Sequence, residues 1–213
     1  MPSSASDQPE LAGFQFSGFA AYAGQPGALE GVGFWPRVAA RIIDLIIHIT
    51  ISAGAGFFFG VMILIASGGH PDPYLSFKLQ HSTMASFVLA ILGSIFYHTV
   101  CEGMHGSTPG KLIFSMVVVQ EDGSPCRIWP AFIRSVTYLI DALFFGLIGY
   151  FAMQKSVQEQ RHGDDWAHTV VCKRAAISGE NLRGGGRFIA ALLLAMMADA
   201  ACGILGLLLK LVS

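Results

Sequence analysis

Four long apolar stretches, separated by short polar ones, dominate this chain. The first runs from about Pro36 to Ala66, longer than the roughly 20 residues a helix needs to cross a bilayer. It predicts a spanning helix that tilts or begins among the headgroups. Trp35 suits an interfacial anchor, and Pro36 suits the first helical turn, where its missing N–H costs nothing. The second stretch, about Thr83 to Cys101, and the fourth, about Phe188 to Val212, are also long enough to span. The third, about Ile128 to Met153, carries "FFGLIG", whose glycines would allow a turn, so it either crosses or dips in and returns as a hairpin. Two shorter runs, Leu112–Gln120 and "HTVVCKRA", are β-prone and would pair if both lie on one side of the membrane. Ser67–Ser82 reads as a loop from its Gly and Pro content. Residues 1–32 hold three acids, no base and no sustained period, and read as a mostly disordered tail with scattered aromatics (Phe14, Phe16, Phe19, Tyr22).

Charge chooses between the two readings of the third stretch. If it crosses, with the N-terminus outside, the cytoplasmic side receives seven Lys/Arg and the outside five. If it re-enters, with the N-terminus inside, the cytoplasmic side receives ten and the outside only Lys78 and Lys210, Arg134 being left out of both counts. The positive-inside rule favours the hairpin. The expected fold is therefore an all-α membrane protein: three spanning helices, one re-entrant or interfacial helical hairpin and a small cytoplasmic β pair. Residues 1–32 form the tail, 33–175 the main membrane domain, and 176–213 a linker with an extra C-terminal transmembrane helix.

Composition agrees with this class. Hydrophobic residues make up 53% and charged residues 13%, against about a quarter charged in soluble domains. A net charge of -1 with no clustered basic face argues against nucleic acid as a partner. Cys101, Cys126, Cys172 and Cys202 form no CxxC pair and read as small apolar filler. No basic n-region precedes an apolar run near Met1, so a cleaved signal peptide is not expected and the first span would act as an uncleaved anchor.

The polar residues inside these apolar stretches are the candidates for chemistry, because each is costly in lipid. Arg37, Arg41, Asp44 and His48 are spaced four, three and four apart and share one helix face; Arg41 is placed to partner Asp44. Arg134 precedes Asp141 by seven residues, as Arg37 precedes Asp44, an echo that suggests a second stripe close enough to cross-pair. His98 and Glu102 are four apart, with His105 three further on; a proton-exchanging or structural pair is expected rather than a metal site, and the helix should break at Gly103. "GSTPGK" lacks the first glycine and the final Ser/Thr of a phosphate loop and reads instead as a tight turn with a positive φ at Gly110. "QRHGDDWAHTVV" is a polar loop carrying Arg161, His162, Asp164, Asp165 and His168. Asp199, alone about 18 Å along the last helix from Arg187, should face Arg, His or water, or be protonated.

Three motifs in order, "FWPRVAARIIDLII", "GSTPGKLIFSMVVVQEDG" and "HGDDWAHTVV", resemble the RDD family of small multi-pass bacterial membrane proteins over about Gly33 to Arg174. The resemblance implies that the family's arginine falls on Arg37, its first aspartate on Asp44 and its second on Asp164, with Asp165 one position away. It places the turn motif on Gly106, Thr108, Pro109, Gly110 and Lys111. The residue before the last motif's threonine is commonly glycine in the family, whereas here it is His168. Some members are proposed to exchange cations for protons, and many are described as transport-related.

Two functional readings follow. In one, a homo-oligomer in the bacterial inner membrane moves a monovalent cation or proton along Asp44, His48, His98, Glu102, Arg134, Asp141, Asp164, Asp165 and Asp199, with Arg37 or Arg41 tuning the carboxylates. In the other, Arg37, Asp44 and Asp164 form a buried network that only holds the fold together, and the protein serves as a membrane scaffold. No nucleophile–base–orienter set suggests an enzyme, and no cofactor or metal is expected; membrane lipids are the one certain surroundings of such a chain.

Overall fold

A computed structural model describes residues 29–70, 73 and 84–212. Most of the predicted tail and most of the loop after the first helix therefore lie outside the described residues.

Helix α1 spans Phe34–Ala66, α2 spans Met84–His105, and α7, the last helix, spans Gly185–Val212. These three are long and apolar enough to cross a membrane. With 33 residues, α1 is about 50 Å long, more than the hydrocarbon core requires, and Trp35 at its start is 74% exposed, as an interfacial anchor should be. Helix α2 packs against α7 along its length, and α1 also packs on α7.

Between α2 and α7 lie a short helix α3 (Pro109–Ile113), strand β1 (Met116–Gln120), helix α4 (Ile128–Asp141), a 3-10 turn (Leu143–Gly146), helix α5 (Leu147–Lys155), a short helix α6 (His162–Trp166) and strand β2 (Thr169–Lys173). The strands pair antiparallel, Met116 opposite Lys173 and Gln120 opposite Thr169. Their side chains alternate faces with period two. Met116, Val118 and Val171 pack with Val32, Ala40, Cys126 and Ala131 on one face; Val117, Val119, Val170 and Cys172 pack with Ile177 on the other. Both faces are covered, which is why the strands read as unbroken apolar runs.

This pairing settles the third apolar stretch. Because β1 precedes α4 and β2 follows α5, the stretch must begin and end on one side. Neither α4 with 14 residues nor α5 with 9 is long enough to cross. The chain turns at Gly146, whose φ of +85° suits glycine, and doubles back so that a Cβ on Gly149 would lie 3.3 Å from Asp141 Cβ. Helix α4 lies against α2. The start of α7 is fastened to the end of α2 on the same side, where Arg183 donates to the Gly103 carbonyl at 2.5 Å.

Four expectations are corrected. The tail does not extend to residue 32: Val32 N–H donates to Val171 O at 2.8 Å, and Leu29 packs beneath the sheet. Helix α2 does not break at Gly103 but continues to His105. A Cβ at Gly103 would lie 2.7 Å from Ile128 Cα, so the glycine serves close packing of α4 on α2. Leu112 and Ile113 belong to α3 rather than to the strand. The positive φ of the turn motif falls on Gly106, at +89°, where α2 ends, and not on Gly110.

Candidate charge network and titratable stripe

Asp44, only 1% exposed, is held by the turn motif. Thr108 Oγ1 donates to it at 2.6 Å, Gly110 N–H at 2.9 Å and Tyr97 O–H at 3.5 Å. Thr108 is also the N-cap of α3, accepting from Lys111 N–H, and Pro109 occupies the first turn, where no N–H is needed. Gly110 is required by proximity, since a Cβ there would sit 2.1 Å from the Ala40 carbonyl oxygen. The motif is therefore the socket into which α1 inserts its aspartate. The expected Arg41–Asp44 pair does not form: Arg41 places its guanidinium 3.8 Å from the centre of the Tyr138 ring, a cation–π arrangement.

Asp164 is the hub of a second assembly. Arg37 and Arg134 both donate to its carboxylate, one to each oxygen. Arg161 N–H caps it at 3.2 Å, with the Arg161 guanidinium 3.7 Å away. Burial would push this carboxyl upward, but the three guanidiniums outweigh it and hold it well below the usual carboxylate range. Arg37 spends its other donors on Val32 O at 2.7 Å and Glu159 O at 2.8 Å, tying the entry to α1 to the loop that leaves the hairpin. Arg134 also reaches Glu102 at 3.0 Å and Thr169 at 2.8 Å. Glu102 in turn accepts from Lys111 Nζ at 2.5 Å. Burial outweighs Glu102 at Lys111 and lowers the ammonium pKa to about 8. Gly163 lets α6 approach α4, because a Cβ there would meet Thr137 Oγ1 at 2.1 Å.

The repeated Arg-to-Asp spacing acquires a physical meaning here. Arg37 and Arg134 do not cross-pair with each other's aspartates; they converge on Asp164. Their aspartates diverge, Asp44 to the turn motif and Asp141 to His162 Nδ1 at 3.1 Å.

Deeper along α1, His48 Nδ1 lies 2.9 Å from Asp199 Oδ2 on α7, at ion-pair distance but without hydrogen-bond alignment. Gly93 on α2 makes room, since a Cβ there would be 2.4 Å from Asp199 Oδ1. No hydrogen bond or close ion pair joins His98 to Glu102: Glu102 is bound by Lys111 and Arg134, while His98 is buried against Tyr97 with its Nδ1 unpartnered. His105 is likewise buried, its ring on Phe188. Asp165 faces solvent, which leaves Asp164 as the aspartate of the network. His168 takes a φ of +50°, in the left-handed region that favours glycine.

A cavity of about 280 Å³ separates α1 from the hairpin. Arg37, Arg41, Asp44, Glu102, Lys111, Asp141 and Arg161 reach it, between apolar walls that include Val38, Ile42 and Leu45. Sequence reasoning missed Tyr97, Tyr138 and the role of Arg161. Tyr97 and Tyr138 act across elements distant in the chain, so nothing in their spacing marks them; Arg161 acts on Asp164 only three residues on, a cap that the i, i+3 spacing could have signalled.

The profile of a family described as the RDD family matches residues 32–168. That stretch contains every charged residue of the Asp44 socket and the Asp164 hub, with Thr169 one position beyond it, and leaves α7 outside. In comparisons with curated proteins and with solved structures, nothing matches the chain significantly.

Proposed function

The chain belongs to the RDD family, as a membrane protein with three apolar helices, and from that premise we propose that it is a non-enzymatic, proton-coupled cation transporter of the bacterial inner membrane, working as a homo-oligomer. One observation carries this reading: titratable groups continue down one face of α1, from Asp44 at the charged cavity to His48 and across to Asp199. A carboxylate held by neutral donors, followed one turn later by an imidazole and a second carboxylate, has the make-up of a proton relay. The ten Lys/Arg counted on the sheet side, joined there by Arg134 through Thr169, support placing that side in the cytoplasm. Three spanning helices are few for alternating access within one chain, which is the reason for proposing that copies associate.

A second reading, a membrane scaffold without transport, is favoured by the Asp164 hub, where every carboxylate oxygen is matched by a fixed cation. Flux in proteoliposomes separates the two. The transporter reading expects gradient-driven cation or proton movement in the parent protein, lost at least tenfold in Asp199→Asn and Asp44→Asn proteins that still fold. Folded parent protein that moves no ion under any imposed gradient would leave the scaffold.

A further inference from the structure

We propose that the cavity between α1 and the hairpin is a binding site for the phosphate of an anionic phospholipid. The proposal rests on the membrane class of the protein and not on whether it moves ions. Among the groups that reach the cavity, four are cationic (Arg37, Arg41, Lys111, Arg161) and three are carboxylates (Asp44, Glu102, Asp141). The carboxylates are already engaged: Asp44 by Thr108 and Gly110, Glu102 by Lys111 and Arg134, Asp141 by His162. The cations are not all engaged. Among the described residues Arg41 makes no hydrogen bond or close ion pair; its guanidinium lies on the Tyr138 ring and feels Glu102 and Asp44 only at longer range. Arg161 lies 5.3 Å from the centre of the same ring, its nearest carboxylate oxygen is 3.7 Å away, and its buried Nε has no partner.

Two guanidiniums with unused N–H donors on one aromatic ring suit a phosphate, which accepts forked charge-assisted hydrogen bonds. The cavity's excess of one positive charge equals the single negative charge of a phosphodiester. Location favours a lipid over a soluble anion. Ile42 and Leu45, which wall the cavity, are 54% and 53% exposed on the apolar face of α1, so the opening is continuous with surface that faces acyl chains. Arg41 is six residues, about 9 Å, along α1 from the Trp35 anchor, within reach of a headgroup phosphate. The phosphate would sit between Arg41 and Arg161 while an acyl chain runs along Ile42 and Leu45.

Native mass spectrometry of the full chain in detergent, titrated separately with phosphatidylglycerol, phosphatidylcholine and glycerol phosphate, tests this directly. Phosphatidylglycerol should be retained at least about tenfold more strongly than phosphatidylcholine, and glycerol phosphate should not displace it at matched concentration. Arg41→Gln and Arg161→Gln should each weaken that retention by about tenfold, the size of one lost charge-assisted hydrogen bond; Arg127→Gln, at an exposed arginine outside the cavity, should leave it unchanged. Equal retention of the two lipids by the parent protein would overturn the proposal even if a variant failed to fold. An equal loss with Arg127→Gln would reduce the effect to general surface charge. Glycerol phosphate competing as well as the lipid would make this a site for soluble phosphate and refute the lipid.

Discussion

Two sets of buried carboxylates in this protein are held in opposite ways. At the polar boundary Asp164 and Glu102 are bound by Arg37, Arg134, Arg161 and Lys111. Along α1, Asp44 is held by a hydroxyl, a backbone N–H and a phenol, and Asp199 by a single imidazole. Asp164, surrounded by permanent guanidinium cations and held well below the usual carboxylate range, stays ionised near neutral pH, which suits it to holding elements together. The hydrogen bonds to Asp44 come from neutral donors, and it is on this second set that the transporter reading proposed above rests. The difference teaches that the family's two aspartates, Asp44 and Asp164, sit in different surroundings, one among neutral donors and one among guanidiniums.

The sharpest way to break this comparison is Asp164→Asn. It leaves three guanidiniums with no counter-charge at that carboxylate and should cost about 3–5 kcal/mol, read as a lowered denaturation midpoint in detergent; a midpoint near that of the parent would remove the structural role from the hub. Gly110→Ala should cost about 1–3 kcal/mol, because the added methyl must push α3 off α1 at Ala40, and it should loosen the Asp44 socket without touching Asp164. His168→Gly should stabilise by about 1 kcal/mol, since a left-handed φ carries roughly that penalty for a residue with a Cβ. Asp199→Asn should change stability least, by less than about 1 kcal/mol, being close in shape and leaving a neutral amide beside His48; a loss as large as that of Asp164→Asn would make the stripe structural as well.

Acid titration sharpens the same contrast. Asp164 is depressed in the folded protein, so the unfolded chain takes up its proton first, near pH 3.9. Stabilisation from the hub is then complete above about pH 4 and is lost only as the pH falls further. Thermal melts between pH 7 and 4 should show no loss that Asp164→Asn removes. A hub contribution that disappears by pH 5 would contradict the assignment.

How much of this was legible in the chain depends on range. The spanning helices were, because a run of apolar residues long enough to cross lipid is a local property, and so was the hairpin, through the count of Lys and Arg in the loops. The identity of Asp44 as a costly residue needing a partner was also visible. Its partner was not: Arg41 is three residues away along the helix, whereas Thr108 is 64 residues distant in the chain and comes into reach only when α2 returns to the same side. Likewise Asp164 and Asp165 are equivalent as sequence, and only the packing of α6 against α4 buries one and exposes the other.

Sequence by itself therefore determined which segments enter the membrane, where the chain turns back, and which polar residues must find partners, since hydrophobic run length, loop charge and desolvation cost are written into residue order. Tertiary structure decided the pairings: Arg37 and Arg134 on one aspartate, Glu102 with Lys111 instead of His98, His48 with Asp199, and Arg41 with a ring instead of a carboxylate. Ion pairs act over a few ångströms in space, and which side chains come that close is set by how the helices, the hairpin and the sheet pack together.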